Sequence, residues 1–435
     1  MAYLVGVLVM VVGVLVSVAL HEVGHMVPAK RFGVRVSQYM VGFGPTLWSR
    51  TKGETEYGLK AIPLGGYVRL VGMYPTPDAV GNPPVRGWLG RVAQDARQVS
   101  GEEIRAGEDH RAFYRLSTPK KLTVMLGGPM MNLLIATVLL TVVLVGFGTP
   151  TATATVAVVT SCVPAVGAQE CTAADPQSPA AAAGLQAGDV VTSFDGTAVT
   201  SWSQLSGLIR RAGGGAVLVV VERGGTERTL TVTPASISRP VVDQTGAAVL
   251  GADGKARTQI VGYLGIGPKF VLQPQPLSSV PASVGSAVSG TARVVLALPA
   301  RIVDVTQSVF GSKPRSQDSV IGVVGIGRIA GEVAASGGGD FGLTGQVLTM
   351  LSLIASLNIA LFVFNLIPLL PLDGGHVAGA LWEGARRQVA RLRGLPRPRP
   401  VDIARMMPVA YGVFVLLAGV GVLLVYADIV RPVTL

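Results

Sequence analysis

Four stretches of the chain stay apolar long enough to cross a hydrocarbon layer of about 30 Å as a helix. They are Tyr3–Val27, Leu122–Phe147, Val347–Leu372 and Met407–Ala427. A fifth apolar stretch, Ser283–Phe310, carries Arg293, Pro299, Arg301 and Asp304, and reads as helices lying on a membrane interface. Between the first two stretches the period changes. Short alternating runs over Val36–Leu70 are broken by Gly42, Gly44, Gly53 and Gly65-Gly66, the pattern of β-hairpins. Residues 75–112 are rich in proline, glycine and charge, show no period, and read as a mobile insert.

Between the second and third stretches lies a different kind of segment. From Ser178 a helical turn ends at Gly184, a Gly188-Asp189 turn follows, and then a strand and the Asp195-Gly196 turn. A helix around Trp202–Arg211 and strands Ala216–Glu222 and Glu227–Pro234 complete a small α+β unit. The expected architecture is a polytopic α-helical membrane protein with four spans, a cytoplasmic-side β-hairpin region and one extracytoplasmic α+β domain. Its divisions are 1–35, 36–121 (hairpin region and insert), 122–148, 149–270 (the α+β domain), 271–343 (interfacial helices), 344–380, 381–405 (a basic loop) and 406–435.

Composition agrees with spans plus soluble parts: 49% of the 435 residues are hydrophobic and 14% charged. The net charge of +11 is unevenly placed. Residues 26–121 carry fifteen Lys/Arg against eight Asp/Glu, and 381–405 carry seven Arg against two acids, whereas 149–277 balance at eight and eight. Basic loops flanking a neutral segment fit the positive-inside rule, with the neutral segment outside, and argue against a nucleic-acid partner. The first apolar stretch lacks a basic leader and runs into a motif rather than a cleavage site, so it reads as a span and not a signal peptide. Cys162 and Cys171 both fall in the neutral segment, and two readings stand: a disulfide in an oxidising compartment, or two buried thiols.

The first stretch ends in His21-Glu22-Val23-Gly24-His25. Histidines four apart on a helix share a face and can hold one zinc ion, and the adjacent Glu22 can serve as general base. Ionisable residues inside a span are costly and are functional by default. A catalytic zinc takes a third protein ligand. Asp373, in Asn365-Leu-Ile-Pro368-Leu-Leu-Pro371-Leu372-Asp373-Gly374-Gly375-His376, is the candidate, because it ends the third span at the depth that four-span topology gives the histidines. A helix-ending Asp-Gly turn is the competing reading, and the motif in the partner span favours the ligand. His110, in the charged insert, reads as a solvated loop residue. Val323-Val324-Gly325-Ile326-Gly327-Arg328-Ile329-Ala330 imitates a dinucleotide fingerprint but lacks a βαβ setting.

Taken together these residues resemble the site-2 protease family of intramembrane zinc metalloproteases, in its RseP-type bacterial branch. The likeness covers HEVGH, Gly42-Phe43-Gly44, Ile62-Pro63-Leu64-Gly65-Gly66-Tyr67-Val68, Gly127-Gly128-Pro129-Met-Met-Asn132 and the Asn365 to Gly374 run. The α+β unit resembles a bacterial PDZ domain. The resemblance implies zinc on His21, His25 and Asp373, Glu22 as base, and Asn365 holding the substrate backbone. An interhelical hydrogen bond is the competing role for Asn365. Asn358 reads as structural, and His376 as an interfacial turn residue more than a support for Asp373. The implied substrates are single-pass membrane proteins in the lipid bilayer, such as anti-sigma factors or signal-peptide remnants, cut by a protein of the bacterial inner membrane. For the PDZ-like unit, a peptide groove and a steric filter both stand, with the ligand unknown. The hairpin region either adds a substrate strand or is peripheral. The resemblance departs at one PDZ-like unit where some relatives have two, at the 75–112 insert, and at Gly127, where alanine is frequent. The competing functions are a membrane-anchored zinc peptidase cutting cytosolic or misfolded loops, and a non-catalytic PDZ-bearing scaffold.

Overall fold

The computed structural model describes residues 1–85, 87–163, 171–172, 175–241, 249, 251, 256–311, 315 and 319–433. Clustering of contacts divides it into two compact units, Met1–Gly146 with Pro276–Leu435, and Phe147–Gln275.

The first unit opens with α1 (Ala2–Arg31), apolar on every side and closed by Lys30 and Arg31 in its last turn. Leu4, Leu8, Val12 and Val16, four apart, are exposed along one flank, while Met10, Ser17, His21 and His25 are buried along another. An apolar stripe left exposed along a long helix is what a lipid-facing span presents. Strands β1 (Val36–Lys52) and β2 (Thr55–Leu70) then form one long hairpin, turned at Gly53 with φ +66°. It is bulged rather than straight: Tyr39 aligns with both Val68 and Tyr57, and Met40 with both Tyr67 and Gly58. The 66–70 segment has a strand partner on one side only among the described residues.

The segment expected to lack regular structure instead forms helices among its described residues. It holds the single turn α2 (Pro77–Val80), capped by the Thr76 hydroxyl, and the amphipathic helix α3 (Gly87–Glu102). Several of its charges, which made it look solvated, are used in pairs: Arg97 is buried and makes a two-pronged bond to Asp402 at 3.1 and 2.7 Å. Helix α4 (Thr118–Thr141), continued by a looser turn to Phe147, is the second apolar helix. It meets α1 closely: a Cβ on Gly24 would stand 2.3 Å from the Gly127 carbonyl oxygen, and one on Gly127 2.0 Å from that of Gly24. Only glycine at both places allows this approach.

The second unit is a sheet in the order β10–β3–β4–β6–β7, formed by β3 (Thr149–Val159), β4 (Val190–Phe194), β6 (Val217–Arg223), β7 (Thr226–Val232) and β10 (Ile266–Gln273). The short β5 (Thr197–Ala198) pairs with β4, and β8 (Ala235–Pro240) with β9 (Thr258–Tyr263). The turn α5 (Pro179–Ala182) and helix α6 (Trp202–Arg211) complete a core of Phe194, Leu205, Val219, Val221 and Leu264. These are the elements of the PDZ-like reading. The unit extends past residue 270 because β10 pairs with β3 as far as Gln273 opposite Thr149. Asp189 is fully buried against Arg223, whose guanidinium holds its carboxyl below the usual range. Cys162 and Cys171 are bonded, with sulfurs 1.97 Å apart.

The chain returns with α7 (Val280–Leu296) and α8 (Leu298–Phe310), bent by 62° at their junction. Next comes α9 (Val323–Ala335), which contains the nucleotide-like Gly-x-Gly as plain helix. It packs on the N-terminal part of α1, where a Cβ on Gly6 would strike the Ala330 oxygen at 2.3 Å. Helix α10 (Gly342–Asn365) is the third apolar helix and α12 (Met407–Val430) the fourth. Two expectations fail between them. The third span ends at Asn365, not Leu372, because Pro368 and Pro371 cannot continue a helix. The basic segment 381–405 is not all loop, because α11 (Asp373–Leu392) runs through half of it.

Candidate metal centre

His21 and His25 project from the C-terminal half of α1, one turn apart. Asp373 is the first residue of α11 and reaches the same point from the opposite side. It therefore starts the helix after the break rather than ending the span before it. The Nε2 atoms of the histidines are 3.2 Å apart, and each lies 3.3 Å from Asp373 Oδ2. Donors held by a tetrahedral zinc at about 2.0–2.1 Å are about 3.3–3.4 Å from one another. The near-equilateral triangle thus has the size that zinc requires.

Three further observations test the fit. Asp373 Oδ2 is buried with no hydrogen-bond partner, a costly state for a carboxylate that a cation relieves. His25 donates from Nδ1 to the Val124 carbonyl oxygen at 2.7 Å, which leaves its Nε2 lone pair for a metal. Gly128 on α4 faces the triangle: a Cβ there would lie 2.2 Å from His25 Nε2 and 2.7 Å from His21 Nε2. The missing side chain leaves the space in which an ion would sit.

Asn132, one turn beyond Gly128, approaches His21 Nδ1 at 3.0 Å and is fully buried. Sequence reasoning quoted it within a motif without giving it a task. A buried amide in a span that follows two glycines is the signal that was present. Glu22 is buried beside the triad, facing the Val68 backbone amide of β2. Among the described residues the triad is the one group of His, Cys, Asp and Glu spaced to hold a metal ion.

A cavity of about 390 Å³ opens on this point. Glu22, Gly66, Tyr67, Val68 and Asn365 line it together with the triad. Asn358 does not; its Nδ2 bonds Ser17 Oγ at 2.9 Å and ties α10 to α1. His376, read as an interfacial turn residue, is instead buried in the first turn of α11 and lines the cavity. The turn reading failed because the Gly374-Gly375 pair starts a helix rather than a solvent loop. Both glycines press on the 366–372 segment, where a Cβ on Gly374 would meet the Ile367 oxygen at 2.2 Å. His110 is exposed, bonded to the Gly107 oxygen, and takes no part.

The family model of peptidase family M50 matches residues 9–396. Zinc metalloprotease Rip1 of Mycobacterium tuberculosis is 34% identical over 447 residues, covering 100% of both chains. Rip1 of Mycolicibacterium smegmatis is 31% identical, again over 100% of both. Metalloprotease MmpA of Caulobacter vibrioides is 27% identical over 89% of this chain and 90% of its own. Four apolar helices, a PDZ-like unit, a zinc-sized donor triangle and this likeness along the whole length agree: the chain belongs to peptidase family M50, the site-2 proteases, and is a membrane zinc metalloprotease.

Proposed function

We propose that the protein cuts single-pass membrane proteins within or near their spans, with His21, His25 and Asp373 holding the zinc and Glu22 as the base. The observation that carries this reading is the donor triangle with 3.2–3.3 Å edges, set between apolar helices with Glu22 in the same cavity. Bound zinc supplies an acidified water and a polarised scissile carbonyl. Glu22 takes the proton of the attacking water on its carboxylate and returns it to the leaving amine. Asn365, on the cavity wall, offers both a donor and an acceptor to the substrate backbone.

A helical substrate hides its peptide bonds, so it must be extended before attack. Gly66, Tyr67 and Val68 line the cavity from a strand segment with one partner, and an extended substrate would pair along its free edge. The charge asymmetry supports a bacterial inner-membrane orientation with the metal centre toward the cytoplasm and the PDZ-like unit outside. The Cys162–Cys171 bond suits an oxidising exterior. Outside, the PDZ-like unit would hold back untrimmed proteins or bind new C-termini. Substrates of this kind include anti-sigma factors already trimmed outside and remnant signal peptides.

The test uses the Glu22→Gln protein, which should keep one zinc per chain yet cut nothing. Crosslinking in cells would recover the single-span proteins it traps, and the wild-type protein in liposomes should cut them. Cleavage of the trapped protein by Glu22→Gln at the wild-type rate would sink the mechanism. Full zinc content after Asp373→Ala would sink that ligand.

A further inference from the structure

Seven buried side-chain polar atoms among the described residues lack a hydrogen-bond partner, and three of them surround the catalytic cavity. Leaving such an atom unpaired is costly, and each one needs an explanation. Asp373 Oδ2 has one in the metal. Asn132 Oδ1 has one in His21, because exchanging the two ends of the amide would turn the carbonyl oxygen toward the ring nitrogen 3.0 Å away. His376 Nδ1 has none.

His376 lies outside the donor triangle, so zinc does not account for it. The residue is buried, with a relative exposure of 8%. Its nearest aromatic neighbour, Tyr74, sits 6.2 Å away between ring centroids, a packing contact and not a hydrogen bond. No described residue bonds either ring nitrogen. A turn after Asp373 on α11, the imidazole shares that residue's helix face and lines the cavity with Glu22 and Asn365. A buried polar group with no protein partner, on the wall of the cavity that holds the triad, is available to bind what enters.

We propose that His376 is a substrate-contacting catalytic residue whose imidazole N–H donates to the scissile carbonyl oxygen and stabilises the negative charge that develops there. This rests on the peptidase reading above. Burial makes the bond worth more than it would be in water, because no solvent competes for the donor. The bond strengthens as charge grows on the oxygen, so its effect falls on kcat more than on KM.

His376→Phe keeps the ring volume and removes the donor, whereas His376→Gln keeps an N–H. Each is purified with zinc and assayed in liposomes on one trapped single-span protein. His376→Phe should lower kcat by about 10²–10³-fold. KM should stay within about threefold and zinc at one per chain, while His376→Gln recovers at least about a tenth of the wild-type kcat. A His376→Phe protein with kcat within about threefold of wild type overturns the proposal. So does loss of zinc or of fold in both variants, which would make His376 a support for Asp373. Glu22→Gln assayed alongside separates the two levels of the argument. Its activity would strike the peptidase mechanism, whereas an unimpaired His376→Phe beside an inert Glu22→Gln strikes the role of His376 alone.

Discussion

At the scale of residues, the centre depends as much on atoms that are absent as on those that bind. Gly24 and Gly127 let two backbones touch, and Gly128 then leaves a space in front of both histidine nitrogens. Gly128→Ala should therefore remove zinc rather than merely slow the reaction. The added methyl would stand 2.2 Å from His25 Nε2, and backbone contact between the helices prevents retreat. Metal analysis of the purified variant should show less than about a tenth of the wild-type zinc, in the range of damage that misplacing a ligand causes. Normal zinc in that variant would mean that the ion lies elsewhere. None of this was legible beforehand. A glycine in a span reads as helix packing, and only the partner helix reveals that this one faces a ligand pair. Asn132 was hidden for the same reason, because its partner His21 lies on another helix, and the burial of His376 shows only in the folded chain.

At the scale of elements, Asp373, the proposed third ligand, is positioned by a helix that begins where another is forced to stop. Pro368 and Pro371 end α10, and α11 restarts with Asp373 in its first turn. What fixes α11 against α4 is a buried charge cluster. Lys121 reaches both Glu383 oxygens at 3.1 and 2.9 Å, Arg387 also pairs with Glu383, and the Val401 amide adds a further bond. Removing one partner of such a group strands the other charges and costs about 3–5 kcal/mol. Glu383→Ala should thus lower the thermal midpoint by several degrees in detergent and weaken zinc retention, with no change at any ligand. Lys121→Met, Glu383→Leu and Arg387→Met together should recover most of that loss, because a buried ionic triad replaced whole by well-packed apolar residues of similar volume is often neutral. A single variant as stable as wild type would show that α11 is held by its apolar contacts. The segment 381–405 looked like a loop because seven arginines and three prolines interrupt its apolar residues. The partners that make α11 a helix lie far away in the sequence. The same holds for α3, whose Arg97 meets an acid 305 positions on.

At the scale of the whole molecule, the PDZ-like unit is an insertion with its ends side by side. Thr149 at the start of β3 pairs with Gln273 at the end of β10. Replacing residues 149–273 by a short Gly-Ser linker should leave one zinc per chain and a folded helical unit, read by metal analysis and circular dichroism in detergent. Loss of zinc would show that the two units are not independent. Each has a separate core: Phe194, Leu205 and Val219 lie in one, Val36, Phe113 and Val124 in the other.

The sequence by itself determined the four apolar helices, the hairpin period, the α+β insert and the residue types at His21, Glu22, His25 and Asp373 on which the proposed zinc chemistry rests. These follow from local quantities: length in an apolar solvent, alternation, and residue types at fixed spacing on one helix. Tertiary structure alone decided the size of the donor triangle, the space at Gly128, the tie from Asn132 to His21 and the burial of His376. These depend on contacts between residues roughly a hundred or more positions apart, set by how closely helices pack, which no local pattern encodes.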